Sequence, residues 1–295
     1  MRNRKKVSLL ITDLDNTPYD WLGPWYVAFD AMIRKLIDLT SVDRAALEKD
    51  IRKVHTAHGS SECAIQAEQL PCIEQHLLSP QIRRLVTNAL ESYHMGFHEA
   101  ELTAYPTVPS TLNSIHRSGA TVVAYTEALG RYAAKRVQKL GLDGKLHYLY
   151  VPHASSQYPC DSSRPATQAD HPILATTMLR ETREGLQKPN DQVLQQIQDE
   201  IGVKAEYVAY VGDGLLKDVK MAQDARVTDV YAEYGMNRKS PQYEQLRRVS
   251  HWPERDVAEE KATDNSKSKE VTPTHSIQAF SELLLLFDFT AHCGS

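Results

Sequence analysis

The chain has 295 residues, 41% hydrophobic and 24% charged, the make-up of a globular protein long enough for a full α/β core and a second, smaller domain. A formal net charge of −4 gives no global field to recruit nucleic acid or an anionic membrane, and the one basic run (Arg2, Arg4, Lys5, Lys6) reads as a solvated tail. The apolar stretches Val7–Ile11 and Leu283–Phe287 are too short for a signal core or a membrane span, and the cysteines (Cys63, Cys72, Cys160, Cys293) form no C-x-x-C pair, which argues against a disulfide framework or zinc knuckle and for a cytoplasmic protein.

The first predicted strand is Val7–Thr12, nearly all apolar, as expected of a strand covered on both faces. About a hundred residues then carry helical periodicity and no convincing strand. One apolar stripe is Trp25, Phe29, Met32, Ile33 and Leu36, and a second is Leu47, Ile51 and Val54, with Thr40 as a candidate cap. A third stripe runs from Ile82 through Leu85, Val86, Leu90 and Tyr93 to Phe97, and Ser79-Pro80 starts its helix. Beyond it, strands are predicted at Thr121–Thr126, Leu146–Val151, Tyr207–Val211 and Val227–Ala232, alternating with helices at Pro109–Ser118, Leu129–Leu140 and Asp191–Ile201. The polar stretch His153–Asp170 reads as a surface loop and Glu254–Thr274 as a flexible linker, with Ser276–Phe287 supplying an edge strand and a final helix. The expected fold is therefore α/β, a Rossmann-like parallel-sheet core (1–18 and 105–295) with a helical cap domain (19–104) inserted after the first strand.

Ligands of an open parallel sheet bind beyond the carboxyl ends of its strands, and the chain's polar candidates fall there. The first strand ends in Asp13-Leu-Asp15-Asn-Thr17, the second in Thr126, and the fourth in Gly212-Asp213-Gly214, with Asp218 opening the next helix. Lys188, in Leu-Gln-Lys-Pro-Asn, immediately precedes a helix. Each has an ordinary reading alone: an Asx-turn, a β-former, a tight turn, a surface charge. Their joint appearance in this order is harder to explain that way.

The set resembles the motifs of the haloacid dehalogenase superfamily, namely D-x-D-x-T, a Thr or Ser ending strand two, a Lys before a helix, and G-D-x-x-x-x-D, over residues 7–225, with the insertion resembling the family's C1-type cap. The resemblance implies a Mg²⁺-dependent phosphatase acting on a small-molecule phosphate ester. Asp13 would be the nucleophile and Asp15 the general acid–base, with Thr126 and Lys188 binding the phosphoryl oxygens. Asp13, the Asp15 carbonyl and Asp213 would bind the metal, and Asp218 would bind a metal water or orient Lys188. Dehalogenases of this family lack the second aspartate, since a halide leaves without a proton. A phosphomutase and a catalytically weak phosphate-binding regulator use the same residues and stay as alternatives. A receiver-type signalling domain does not fit, because strand three ends without an Asp.

Two positions depart from the pattern: Pro18 follows Thr17, and Glu127 follows Thr126. Glu127 is open to three roles: pointing away, pairing with a cation such as Arg131, or meeting a cationic part of the substrate. His94 and His98 have the i, i+4 spacing of zinc ligands but no evident third ligand. Trp25, Tyr26 and Phe29 fit helix packing better than a substrate pocket. The stretch His58–Gln75, with Cys63, Glu68 and the nearby His76, is the candidate specificity loop.

Overall fold

The computed structural model describes residues 4–153, 174–235, 238–265 and 271–292. Most of the predicted 153–170 loop, with Cys160 and Cys293, lies outside them. The first apolar run divides at Ser8 into two strands, β1 (Lys5–Val7) and β2 (Leu9–Asp13). Ser8 passes the chain from one sheet to the other, donating its N–H to the Tyr207 carbonyl at 2.9 Å and accepting from Thr121 at 2.8 Å beside the partners of β2.

Three long helices follow: α1 (Leu22–Thr40), α2 (Arg44–His58) and α3 (Pro80–Glu99). Their apolar stripes face one another and bury an aromatic stack, with Trp25 on Phe29 at 4.8 Å and Phe29 edge-on to Tyr93 at 5.8 Å between ring centroids. The α2 cap is Asp43, which accepts from the Ala45 N–H, rather than Thr40, whose hydroxyl donates back to the Leu36 carbonyl. Ser79 caps α3, with Pro80 in its first turn. The helices leave and rejoin the rest of the chain side by side. Tyr19 bridges Ala104, and the Pro18 carbonyl accepts from Tyr105 N–H at 2.8 Å.

After α4 (Val108–Arg117) come β3 (Thr121–Tyr125), α5 (Gly130–Lys139), β4 (Tyr148–Val151), β5 (Met178–Glu181), α6 (Asp191–Ile201), β6 (Val208–Gly212), α7 (Lys220–Asp224) and β7 (Thr228–Ala232). The chain closes with α8 (Pro241–Val249), α9 (Glu254–Asn265), β8 (His275–Ile277), α10 (Leu283–Leu286) and β9 (Phe287–Phe289). Seven strands form one parallel sheet in the order β5-β4-β3-β2-β6-β7-β8, and β1 pairs separately with β9. This is the α/β parallel-sheet fold expected from the sequence.

β2 lies at the centre of the sheet. Its Leu9 and Ile11 pack with Val193, Leu194 and Ile197 of α6, whereas Leu10 joins the larger core on the opposite face with Leu112, Ala133 and Val137. Burial of both faces explains the unbroken apolar run, at roughly 1.5–3 kcal/mol for each large aliphatic side chain.

The linker expected at 254–274 is corrected over its first half, because Glu254–Asn265 is helix α9. Its charged composition is also one of good helix formers, with Glu254 and Asp256 favourably placed in the first turn. Glu260 anchors the helix by accepting from Tyr243 OH at 2.7 Å and pairing with Arg247 at 3.1 Å. Strand β5 was not foreseen; it is a four-residue edge strand whose half-exposed side chains lack an apolar imprint.

Candidate active site

Strand β2 delivers Asp13 to the carboxyl edge of the sheet, where its side chain is buried between the ends of β3 and β6. Lys188, in the segment leading to α6, reaches Asp13 Oδ1 with its ammonium and Asp218 Oδ1 at 2.8 Å. The same ammonium lies 5.1 Å and 5.7 Å from the ring centroids of Tyr125 and Tyr210. Asp218 also accepts from Tyr210 OH at 2.7 Å and from Gly214 N–H at 2.8 Å. Gly212 makes this approach possible, since a Cβ there would stand 2.5 Å from the Asp218 carboxyl carbon.

Among the described residues, Asp13, Asp213 and Asp218 have carboxylate oxygens within 4.8 Å of one another, all buried. Burial pushes Asp13 well above the usual carboxylate range; the Lys188 charge opposes this, and Asp218, Asp213 and Asp15 add to it. Burial and then the Asp218 charge push Asp213 up to about 7. Burial also acts against the charge on Lys188, but Asp13 and Asp218 outweigh it and hold the ammonium well above its ordinary value. Burial would raise Asp218 too, yet Lys188 and its hydrogen-bond donors bring it below the usual range. Three buried carboxylates thus face one ammonium, and the Arg238 guanidinium offsets part of the negative surplus at Asp213. Hard oxygen donors this close together suit a small divalent cation, and the raised Asp213 is the group whose charge such a cation would stabilise.

Asp15 points its carboxylate elsewhere. It accepts from Tyr19 OH, from Thr126 Oγ1 at 3.1 Å and from Arg136 Nη1 at 3.2 Å. The Thr126 hydroxyl is thus turned to Asp15, and it also receives the Ala128 N–H at 3.0 Å. Asn16, at φ 60°, turns the chain after Asp15 and accepts the N–H groups of Trp21 and Leu22, tying the start of α1 to the site loop. All six predicted positions, Asp13, Asp15, Thr126, Lys188, Asp213 and Asp218, line one cavity of about 390 Å³ between the sheet edge and the helical insert.

Of the candidate specificity loop, Gly59 to Glu62 line this cavity. Cys63 is buried in the core and Glu68 pairs with Arg83 at 2.6 Å, so neither belongs to the cavity wall. His94 and His98 pack with each other and with Tyr132, His98 stacking on the tyrosine ring at 3.7 Å, and burial drives His98 down to about 2. Trp25 and Phe29 are core residues, while Trp21 reaches the cavity.

The sequence reading did not single out Arg136, Glu62, Tyr19 or Arg238. Arg136, within Lys135-Arg136 of α5, has the local sequence of a surface charge, yet its side chain is only 6% exposed. Arg238 donates to the Asp213 carbonyl at 2.6 Å. Nothing local marks either residue.

No protein-family model matches the sequence, and no curated protein matches it. The structure is similar to a 2-haloacid dehalogenase from Pseudomonas syringae pv. Tomato DC3000, with 18% identity over 95% of this chain and 97% of that one and a TM-score of 0.52. It is similar to a protein assigned as the HAD-hydrolase YfnB of Bacillus subtilis, bound to magnesium, at 16% identity over 96% and 99% of the two chains, TM-score 0.51. A third is a protein predicted to be a phosphoglycolate phosphatase, from Haemophilus somnus 129PT, at 12% identity over 95% and 97%, TM-score 0.52. The chain has the haloacid dehalogenase fold, shared by proteins described as a dehalogenase and as a predicted phosphatase.

Proposed function

We propose that this chain is a Mg²⁺-dependent phosphatase that hydrolyses a small-molecule phosphomonoester through an aspartyl-phosphate on Asp13. The observation that carries the reading is the pairing of two differently furnished aspartates, one ending β2 and one two residues on in the loop that follows. Asp13 sits against Lys188 in the carboxylate cluster, and Asp15 sits against Thr126 and Arg136 in the same cavity wall. A halide leaves without a proton, so dehalogenation gives a second carboxylate no task; an alkoxide leaving group needs one.

In this reading Asp13 attacks phosphorus in line, and the P–O bond to the leaving group breaks as Asp15 gives that oxygen a proton. Asp15 then takes a proton from the water that cleaves the acyl phosphate. Lys188 supplies positive charge to the phosphoryl oxygens while its second carboxylate, Asp218, keeps the ammonium from collapsing onto Asp13 alone. Asp13, Asp213 and the Asp15 carbonyl would hold Mg²⁺, with Asp218 in support, and the ion would screen the repulsion between carboxylate and phosphate dianion. The helical insert would act as the cap over the leaving group, which favours a small ester over a phosphoprotein.

The test is turnover of a panel of phosphorylated metabolites and of p-nitrophenyl phosphate, beside a 2-haloacid. Asp13→Asn is expected to abolish phosphoenzyme and turnover. Asp15→Asn should lose about 10²–10⁴-fold for poor leaving groups and much less for p-nitrophenolate. Halide release without phosphate release, or near-normal turnover in Asp13→Asn, would refute the proposal.

A further inference from the structure

Arg136 on α5 sits between two carboxylates that come from different parts of the chain. Its Nη1 is 3.2 Å from Asp15 Oδ1, on the loop after β2, and its Nη2 is 2.7 Å from Glu62 Oε1, in the insert. The guanidinium lies 5.7 Å from the ring centroid of Phe97, another residue of the insert. Glu62 is fixed in turn by Trp21 Nε1 at 2.8 Å, while its Oε2 is buried without a hydrogen-bond partner among the described residues. One buried cation is thus divided between a buried acid, Glu62, and a partly exposed one, Asp15, and one oxygen of Glu62 is left unsatisfied. Such an arrangement is a poor source of stability, since well-packed apolar side chains of the same volume often do as well. Its geometry suits another purpose: the rigid planar guanidinium turns Nη1 to Asp15 and Nη2 to Glu62, so the place of one carboxylate is tied to the place of the other.

We infer that Arg136 is a positioning residue for Asp15, with its fork set from the insert by Glu62 and Phe97, so that the seating of the insert fixes where the Asp15 carboxyl meets the leaving group. This rests on the reading of Asp15 as the proton donor proposed above. Thr126 donates to the same carboxylate from just beyond β3, and Tyr19 from the junction where the chain enters the insert. The Arg136–Glu62 pair joins it to the layer that would cover the substrate.

The test uses the full chain with Mg²⁺ and a series of substituted aryl phosphates of rising leaving-group pKa. Arg136→Lys keeps the charge but not the fork, and its loss in kcat should grow from almost none for the best leaving group to on the order of tenfold for the poorest, with KM little changed. Glu62→Gln keeps size and the acceptor for Trp21, and should show the same trend at smaller amplitude. The double variant Asp15→Asn/Arg136→Lys should be no slower than Asp15→Asn alone, because residues acting through one proton transfer are not additive. A loss equal across the series, or a double variant slowed by the product of the single losses, would mean that Arg136 only ties the layers together. If Arg136→Lys does not fold, as judged by circular dichroism, Glu62→Gln decides alone, and a flat profile overturns the inference. Should Asp15→Asn itself be insensitive to the leaving group, the proton-donor reading falls and this inference with it. A sensitive Asp15→Asn beside a flat Arg136→Lys refutes the inference only.

Discussion

Glu127 places a negative charge next to a site meant for a phosphate, and its surroundings account for it. Oε1 accepts the backbone N–H of Lys188 at 2.9 Å, and Oε2 lies 3.6 Å from Lys217 Nζ. The carboxylate bridges two segments that carry site residues: of the expected options it takes the pairing with a cation, though the cation is Lys217 and not Arg131, and its bond to the Lys188 N–H was not among them. Holding the Lys188 backbone fixes where its ammonium emerges. Glu127→Ala should therefore lower kcat about tenfold, the size of one charge-assisted hydrogen bond of ~1.4 kcal/mol, while Glu127→Gln, which keeps an acceptor oxygen, should stay near wild type. Steady-state kinetics on an aryl phosphate checks this, and equal losses in the two variants would contradict it. Pro18 has a comparable explanation. Its carbonyl accepts from Tyr105, and the Thr17 carbonyl accepts from Tyr234 OH at 2.8 Å, so the turn into the insert is tied at consecutive residues.

At the scale of elements, the insert is fastened to the core by more than its two connections. Helix α2 packs on α8. There Glu48 accepts from Arg44 at 2.8 Å, Gln245 at 3.0 Å and Arg248 at 2.8 Å, and Arg52 donates to the carbonyls of Arg247 and Trp252. His55 completes the seam by donating Nδ1–H to the Val249 carbonyl at 2.6 Å. Any opening of the insert has to carry α8 along or break this seam. Burial holds His55 down to about 4, against 6.5 for a free histidine. The unfolded chain therefore takes up the proton first. The contribution of neutral His55 is complete above pH ~6.5 and is lost as the pH falls toward ~4, at up to about 1.4 kcal/mol per pH unit. Denaturant melts should show stability falling over this range, and His55→Gln should flatten the slope. A slope unchanged by the substitution would show that His55 is not among the groups responsible. The protonation cost of His251, which burial holds down to about 3, acts in the same direction.

At the scale of the molecule, the sheet edge gathers more buried negative charge than Lys188 balances, and that imbalance opposes folding unless a cation is present. Mg²⁺ should therefore raise the melting temperature as well as restore activity removed by EDTA. At a hundredfold excess over Kd the gain is about 2.7 kcal/mol, or several degrees for a chain of this size. Asp213→Asn should melt higher than wild type without metal and respond weakly to Mg²⁺. Ca²⁺, with its larger and looser coordination, should stabilise the fold without supporting turnover. A melting curve indifferent to Mg²⁺ would refute the metal assignment independently of any assay of activity. Among the described residues no helix is long and apolar enough to cross a membrane.

The central strands were legible in the sequence because a strand buried on both faces must be apolar throughout, and Leu9 to Ile11 or Val208 to Val211 could hardly be anything else. The six polar candidates were legible for the complementary reason. Each interrupts or follows such a run at a strand's carboxyl end or begins a helix, where the topology of a parallel sheet brings them together. The glycine before Asp213 was visible as part of a tight turn, but its reason came only with the structure, where the close approach of Asp218 leaves no room for a Cβ. Strand β5 escaped notice because an edge strand need not be apolar. Helix α9 escaped because solvated linkers and surface helices draw on the same charged residues. Arg136 and Glu62 were beyond any local reading. A charged side chain becomes buried through what packs over it, and here that is Asp15, 121 positions from Arg136 along the chain, together with an insert whose position depends on α8. Local pattern encodes which residues prefer the interior or a strand end, but the partner that makes a buried charge tolerable is supplied only when distant segments meet.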